Sequence, residues 1–166
     1  EAEKYQAILG ALRSGFRVGN SDAVKKYSPL VSNHPQSNID DKSSAIYYLG
    51  KIQYKNSEWD AAKSSFAKVG DMINNNQAAE SRFLVADILF KQNKTEEAEN
   101  QCNAANEKNT LYPYWIAKSL ILMSDIYVLN KDLFNARAAL EAVVENFADD
   151  KELISTATAK LKTIES

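Results

Sequence analysis

The sequence is poor in helix-breaking residues and in residues that build covalent or metal sites. Its 166 residues include three prolines, five glycines, one cysteine and one histidine. The single cysteine, Cys102, excludes an internal disulfide. The single histidine, His34, lies in a polar stretch without the closely spaced ligands of a zinc site or the partners of a catalytic triad. We therefore expect no metal, no cofactor and no enzymatic activity.

Strong charge of one sign and long hydrophobic runs are also missing. The formal net charge is −2 and the pI is near 5.5, which gives no general attraction to nucleic acid. The longest apolar run, "LILMSDIYVL" at 120–129, is interrupted by Ser124 and Asp125 and is far shorter than the roughly 20 residues of a membrane helix. We expect neither nucleic-acid binding nor membrane insertion.

The apolar residues that are present recur at spacings of three and four, and strand-like alternation is absent. This periodicity predicts an all-helical protein. Around residues 113–129 the apolar positions form two stripes, which is typical of a helix packed between two neighbours. The first stripe contains Ile116, Leu120, Met123 and Tyr127, and the second contains Trp115, Leu122, Ile126 and Leu129.

Four alanines in similar surroundings indicate an internal repeat. They are spaced 39, 36 and 38 residues apart, each with a small residue twelve positions before it and, in most cases, a bulky residue four positions after it. Two antiparallel helices pack closely where a small residue lets the backbones approach, and repetition of such pairs builds a helical solenoid. The alanines are Ala23, Ala62, Ala98 and Ala136; the small residues are Ala11, Gly50, Ala86 and Ser124; the residues four positions after are Tyr27, Phe66, Cys102 and Leu140.

Turn and cap signals fall between the predicted helices. Ser57, Thr95 and Asp132 are expected N-caps, because short polar side chains accept hydrogen bonds from the first helical turn. The stretch 32–41 is expected to be a loop between repeats. Pro29 is expected to kink or break the second helix of the first repeat. A last helix is expected to begin near Asp150.

This grid resembles the tetratricopeptide repeat family. The segment "YYLGKIQYKNSEWDAAKSSFAKV" at 47–69 carries the family pattern most fully, and "LMSDIYVLNKDLFNARAALEAVVENF" at 122–147 nearly as well. The resemblance implies an all-α, right-handed superhelix with a single domain over residues 1–166. It implies four helical hairpins, at about 5–37, 43–76, 79–110 and 113–148, and a C-terminal capping helix at about 150–165.

A narrower resemblance concerns residues 114–147. The segment "YWIAKSLILMSDIYVLNKDLFNARAALEAVVENF" looks like the C-terminal end of long tetratricopeptide proteins of the Gram-negative bacterial envelope. This likeness implies a periplasmic location and further repeats upstream of Glu1.

The family resemblance also implies a binding surface on the concave face, formed by the first helix of each hairpin. Ser44, Lys55 and Glu80 would lie at its edges. The spacing agrees independently, because positions i, i+4 and i+7 share one helical face. Carried over to this sequence, the peptide-binding residues are Tyr47, Lys51, Tyr54, Phe83, Asp87, Phe90, Lys118 and Asp125.

Two interpretations of this surface remain open. An aromatic–charge–aromatic stripe on adjacent helices suits a groove for a peptide. Alternatively, the aromatic rings pack against neighbouring helices and the charges only solvate the surface. The predicted function is a non-enzymatic scaffold for a protein or peptide partner of unknown identity, with unknown oligomeric state. The alternative is a structural module that extends and caps a longer solenoid, with partner binding elsewhere.

The aromatic cluster "LYPYWIAKS" at 111–119 is interpreted as the start of a helix rather than as a site. Pro113 fits the first helical turn, where its missing N–H is tolerated. We expect Trp115 to pack against the third hairpin or the capping helix, with Tyr112 and Tyr114 partly exposed.

Overall fold

The structure, a computed structural model, describes residues 2–165. Over that range the chain forms nine α-helices and no strand, which confirms the all-α prediction. The predicted domain ends, Glu1 and Ser166, lie outside the described residues. The helices are α1 (Ala2–Arg17), α2 (Ser21–Ser32), α3 (Ile39–Lys55), α4 (Trp59–Met72), α5 (Asn76–Lys91), α6 (Thr95–Lys108), α7 (Pro113–Leu129), α8 (Leu133–Asn146) and α9 (Lys151–Glu165).

The first eight helices form four hairpins. We name α1, α3, α5 and α7 the A helices, and α2, α4, α6 and α8 the B helices. Three residues separate the A helix from the B helix in every hairpin. The helix α9 begins directly after Asp150, whose Oδ1 accepts hydrogen bonds from the Glu152 and Leu153 N–H groups at 3.1 and 3.0 Å. This agrees with the expected start of the last helix.

The chain divides into two compact units, residues 1–81 and residues 82–166, with the division inside α5. In the N-terminal unit α1 packs on α2, α2 on α3 and α3 on α4; in the C-terminal unit α6 packs on α7, α7 on α8 and α8 on α9. The predicted single domain and its repeat boundaries stay predictions. One core cluster of the N-terminal unit contains Tyr5, Leu9, Leu12, Val24, Val31, Ala45 and Ile52, and one of the C-terminal unit contains Ala117, Ile121, Leu140, Val143, Leu153 and Ala157.

The four hairpin turns share one geometry that the sequence analysis missed. In the last turn Lys131 N–H donates to the Val128 carbonyl at 3.0 Å, and Asp132 N–H donates to the Tyr127 carbonyl at 2.8 Å. This is the Schellman motif, which places its C′ residue in the left-handed region. A non-glycine residue there is strained by roughly 1–2 kcal/mol. The C′ residues and their φ angles are Gly19 at 71°, Ser57 at 60°, Asn93 at 59° and Lys131 at 61°.

This turn geometry corrects two of the predicted N-caps. Ser57 occupies the left-handed C′ position of the turn, so the N-cap of α4 is Glu58. The Glu58 side chain makes no capping hydrogen bond. In the same way, Thr95 is the first residue of α6 and not its N-cap. The prediction for Asp132 is confirmed, since its side chain accepts a hydrogen bond from the Asn135 N–H at 3.1 Å.

Two helix boundaries also differ from expectation. The helix α2 is not broken at Pro29 but continues to Ser32. The helix therefore continues although the missing N–H of Pro29 cannot make its hydrogen bond. The helix α3 begins at Ile39, inside the expected loop, because the Asn38 side chain accepts a hydrogen bond from Asp41 N–H at 2.8 Å.

Close approach of the helices in a hairpin depends on glycine. A Cβ atom on Gly50 would lie 2.8 Å from the Phe66 ring, closer than real Cβ contacts. Phe66 is fully buried, so the ring cannot easily move away. In the first hairpin a Cβ on Gly15 would lie 2.7 Å from the Ala23 Cβ, one turn beyond Ala11, the small residue of the predicted grid. The expected packing role of Gly50 therefore has a direct geometric cause.

Gly50→Ala and Gly10→Ala form a matched test of this packing. Both glycines are helical, but a Cβ on Gly10 would meet nothing within 4 Å. We expect Gly10→Ala to raise the free energy of unfolding by about 0.5–1 kcal/mol through helix propensity. We expect Gly50→Ala to lower it by about 1–3 kcal/mol, because overpacking outweighs that gain. Urea unfolding measures both. Equal stabilisation of the two variants would contradict the close approach.

Candidate functional site

The predicted binding residues all lie on A helices. Tyr47, Lys51 and Tyr54 are on α3 and belong to the N-terminal unit. The remaining five lie in the C-terminal unit, on the second part of α5 and on α7: Phe83, Asp87, Phe90, Lys118 and Asp125. Whether they form one binding site stays a prediction.

Glu80, expected only at the edge of the surface, is the centre of the N-terminal group. Its Oε2 accepts a hydrogen bond from the Tyr47 hydroxyl at 2.6 Å, and its Oε1 lies 2.5 Å from the Lys51 ammonium. The Lys51 ammonium also lies 5.8 Å from the centroid of the Tyr47 ring. The three side chains thus hold one another in fixed positions.

The Tyr47 ring itself is internal. Only 8% of the residue is exposed, and its ring centroid lies 6.5 Å from that of Phe16 and 6.4 Å from that of Phe66. Burial, and next the hydrogen bond to Glu80, raise the pKa of Tyr47 well above its ordinary value. Tyr47 is therefore a neutral hydrogen-bond donor at any physiological pH.

Tyr54 also contacts other aromatic rings. Its ring lies edge-on to Trp59, with centroids 5.3 Å apart, and its centroid is 6.4 Å from that of Phe66. This places Tyr54 where α3 meets the start of α4. In the N-terminal group, the aromatic side chains pack on their neighbours, and the Lys51 side chain is 34% exposed.

In the C-terminal group, Phe83 connects α5 to α7. Phe83 is 8% exposed, and its ring lies 5.7 Å from the Trp115 ring, centroid to centroid. The Lys118 ammonium lies 5.9 Å from the Phe83 centroid, within the range of a cation–π interaction. The expectation that Trp115 packs against the third hairpin is confirmed, and Tyr112 and Tyr114 are partly exposed as expected.

Asp87 and Phe90 lie further along α5. The Asp87 carboxylate pairs with Lys91 one turn later, at 3.2 Å, and Phe90 is half-buried.

Burial, and next the negative charge of Asp87, raise the pKa of the Cys102 thiol to about 12. Cys102 is fully buried, which confirms its expected core position.

Asp125 is tied to the last helix. Its Oδ1 lies 2.5 Å from the Lys160 ammonium on α9. The pair borders a cavity of about 340 Å³ that is also lined by Val128 and Leu133 of the last hairpin and by Ile164 of α9. The helix α9 therefore contributes a charged residue to this part of the surface.

Sequence reasoning missed a second carboxylate cluster, in the first hairpin and the start of α3. The Asp41 Oδ2 accepts a hydrogen bond from the Tyr5 hydroxyl at 2.7 Å, and its Oδ1 lies 2.9 Å from the Arg13 guanidinium. Asp41 and Glu80 are 39 residues apart, which is one repeat length, and both lie in the first turns of an A helix. That spacing is the signal that would have found the cluster.

No metal site or membrane span is apparent in the described part of the chain. Among residues 2–165, no three His, Cys, Asp or Glu side chains are grouped so that they could hold a metal ion. None of the described helices combines the length and the apolar character that a membrane crossing requires.

Tyr47→Phe tests the Glu80 cluster through its pH dependence. The folded pKa of Tyr47 lies above the ordinary value of 10.0, so the stabilisation by its hydroxyl is complete below pH 10 and is lost as the pH rises above it. We expect Tyr47→Phe to lower the free energy of unfolding by about 1–2 kcal/mol at about pH 8, and by less at about pH 11.

Tyr27→Phe is the matched control, because Tyr27 is half-buried and its charged neighbour is Lys26 rather than a carboxylate. The control should change the free energy of unfolding by less than about 0.5 kcal/mol. A Tyr47→Phe effect that stays constant between the two pH values would contradict the assigned hydrogen bond.

Sequence comparison identifies one repeat. Residues 44–71, which contain most of α3 and most of α4, match the family model described as tetratricopeptide repeat (TPR). Among curated proteins, none matches this sequence.

Solved structures share the fold over nearly the whole chain. BtubC (BKLC) from P. vanneervenii is 14% identical, covers 92% of this chain and 70% of its own, and has a TM-score of 0.69. A kinesin light chain structure from Podosopora anserina, built of TPR-like repeats that are nearly identical to one another, is 12% identical to this chain. It covers 98% of this chain and 90% of its own, with a TM-score of 0.68. A double mutant of MamA from RS-1 is 16% identical, with a TM-score of 0.68 and coverages of 98% and 89%.

At these identities the likeness to solved structures concerns the fold alone. The helical hairpins found in the chain are those of a TPR-like solenoid, as the sequence analysis expected. The resemblance to envelope proteins receives no support from these comparisons. The chain is thus a TPR-like repeat protein by fold, with a tetratricopeptide repeat recognised by sequence at residues 44–71.

Proposed function

We propose that this protein is a non-enzymatic scaffold that binds a protein or peptide segment on its A helices. A TPR-like fold supports an interaction scaffold in general. The observation that carries the more specific proposal is the Lys51–Glu80–Tyr47 cluster, which fixes a half-exposed ammonium group on α3 without a flexible loop. A side chain that is already ordered loses little entropy when a ligand binds it.

The structure changes the expected mechanism of contact. Tyr47 and Phe83 are largely buried, so their rings support the surface rather than offering wide aromatic area to a ligand. Lys51 and Lys118 are half-buried, so their polar groups are more accessible than the rings of Tyr47 and Phe83. We therefore propose that the ligand is oriented by hydrogen bonds and charge on a rigid helical face.

A second candidate function is structural. The helix α9 buries Leu153 and Ala157, while Glu152, Ser155 and Thr156 on its other side are exposed. A terminal helix with a polar outer face is what ends a solenoid without exposing its core. On this alternative the chain closes a stack of repeats, and a partner binds to another part of the protein.

Peptide selection tests the scaffold proposal without assuming a partner. A displayed library of random peptides would be selected on the full chain, and the dissociation constants of the selected peptides would be measured by calorimetry. We expect peptides whose Kd rises about 3–10-fold in Lys51→Gln or Lys118→Gln, the size expected for one exposed charged contact.

The control variant is Lys68→Gln, because Lys68 is exposed on the B helix α4. Its Kd values should equal those of the wild type. Peptides that bind Lys51→Gln and Lys118→Gln as tightly as the wild type would place the site elsewhere. A selection that yields no binding peptide would contradict peptide binding and favour the structural alternative.

A further inference from the structure

We infer that the ligand segment is acidic, and that it binds the A helices of the N-terminal unit through Arg13 of α1 and Lys51 of α3. This inference rests on the proposed scaffold function. It names the chemistry of the ligand and adds Arg13, which the sequence analysis did not select.

The two ion pairs on these A helices have the same polarity. The Arg13 side chain is 53% exposed, whereas that of its partner Asp41 is 12% exposed, with the two charged groups 2.9 Å apart. The Lys51 side chain is 34% exposed, whereas that of its partner Glu80 is also 12% exposed. In both pairs the cation faces solvent and the carboxylate faces the protein.

Tyrosine hydroxyl groups hold the carboxylates in these inner positions. Tyr5 donates to Asp41 at 2.7 Å, and Tyr47 donates to Glu80 at 2.6 Å. Both tyrosines are buried. The carboxylates therefore cannot turn outward without breaking a hydrogen bond that is buried at Asp41 and partly buried at Glu80. The fold thus directs each cation outward.

Each cation keeps donors for a ligand. A guanidinium group has five N–H bonds and an ammonium group has three. In the described residues, Arg13 makes one hydrogen bond, to Asp41, and Lys51 makes one, to Glu80. The remaining N–H groups can donate to a carboxylate that approaches from solvent.

The internal pairing weakens this attraction but does not cancel it. A ligand carboxylate on the outer side of the cation lies about 3 Å from it, at hydrogen-bond distance, and roughly 6 Å from the inner carboxylate. Coulomb energy falls in inverse proportion to distance, so about half of the attraction to an unpaired cation remains. A ligand cation at the same place would be repelled by the same amount.

Another ion pair of the N-terminal unit shows that this polarity is not general. Lys25 on α2 pairs with Glu58 at 2.6 Å, and the two side chains are 42% and 38% exposed. The cation and the carboxylate of this pair are thus about equally exposed to solvent. This pair involves a B helix and the turn before another, and it is a matched control for the A-helix pairs.

The overall charge distribution also favours an acidic ligand on the N-terminal unit. Residues 1–81 contain ten Lys and Arg against nine Asp and Glu, whereas residues 82–166 contain ten against thirteen. The excess of negative charge thus belongs to the C-terminal unit. Long-range attraction of an acidic segment is directed to the N-terminal unit.

Two aromatic residues lie one helical turn from the two cations. Phe16 follows Arg13 by three residues and Tyr48 precedes Lys51 by three, so each ring shares a helical face with its cation. The two rings stack, with centroids 4.1 Å apart, and both are half-buried. An apolar ligand side chain between two acidic ones would meet these rings.

The helix spacing gives a length for the acidic motif. The helices α1 and α3 are in direct contact, and packed helices have axes about 8–10 Å apart. An extended peptide advances about 3.3 Å per residue, so two acidic residues roughly three positions apart would reach both cations.

Three fluorescein-labelled peptides test the inference directly. The first has the sequence Gly-Ser-Glu-Leu-Leu-Glu-Ser-Gly, and the others carry Gln or Lys in place of both Glu residues. Fluorescence anisotropy with the full chain measures each Kd. We expect the Glu peptide to bind about 10-fold more tightly than the Gln peptide at about 0.05 M salt, with a smaller ratio at about 0.3 M. The Lys peptide should bind most weakly.

Variants locate the binding. Arg13→Gln and Lys51→Gln should each weaken the Glu peptide about 3–10-fold and leave the Gln peptide unchanged. Arg13→Lys and Lys51→Arg should largely restore binding. Lys25→Gln is the matched control and should bind like the wild type. Circular dichroism melting curves show whether each variant remains folded.

The outcomes separate this inference from the proposed scaffold function. Equal Kd values for the Glu, Gln and Lys peptides would overturn the acidic preference, while binding lost in Lys118→Gln would still support a scaffold. Equal weakening by Lys25→Gln and Arg13→Gln would show attraction to net charge alone and overturn the site. If the Glu peptide does not bind, the inferred acidic motif is wrong. The selection from the random peptide library then tests the scaffold function by itself.

Discussion

The structure of the first two hairpins depends on the close approach of their two helices. At Gly50 the backbone of α3 lies so near the buried Phe66 ring that even one added methyl group would collide with it. Gly15 permits a similar approach to Ala23 in the first hairpin. Because interiors are close-packed, such a contact fixes the rotation of the A helix about its axis. The rotation decides which side chains remain for a ligand.

The positions of the polar groups follow from that rotation. It directs Tyr47 and Lys51 toward Glu80, so that the buried tyrosine holds the carboxylate and the lysine remains accessible. Tyr5, Arg13 and Asp41 repeat the arrangement one hairpin earlier. A buried carboxylate is stable only when hydrogen-bonded or paired, and each one here is both. The same contacts that stabilise the hairpins thus leave cations on the surface.

Much of the fold was predictable from the sequence, because helical periodicity and the spacing of Ala23, Ala62, Ala98 and Ala136 are local signals. The turns were harder to predict from the sequence, because the left-handed position is occupied by Ser57 and Lys131 as well as by Gly19.

The candidate site was predictable only as a set of helix positions. A helical face does not show that Tyr47 and Phe83 are buried by neighbouring rings, nor that Asp41 and Glu80 accept two partners each. Those facts depend on contacts between side chains that are 28–36 residues apart.

Backbone amide shifts of the nitrogen-15-labelled chain test the central claim, that rigid A helices present cations to a ligand. The chain has a mass of 18.5 kDa, which suits such spectra. On addition of the Glu peptide, the account predicts the largest shift changes on α1 and α3, near Arg13 and Lys51. Changes centred on α2 and α4, or on the exposed apolar turn with Leu129 and Phe134, would contradict it.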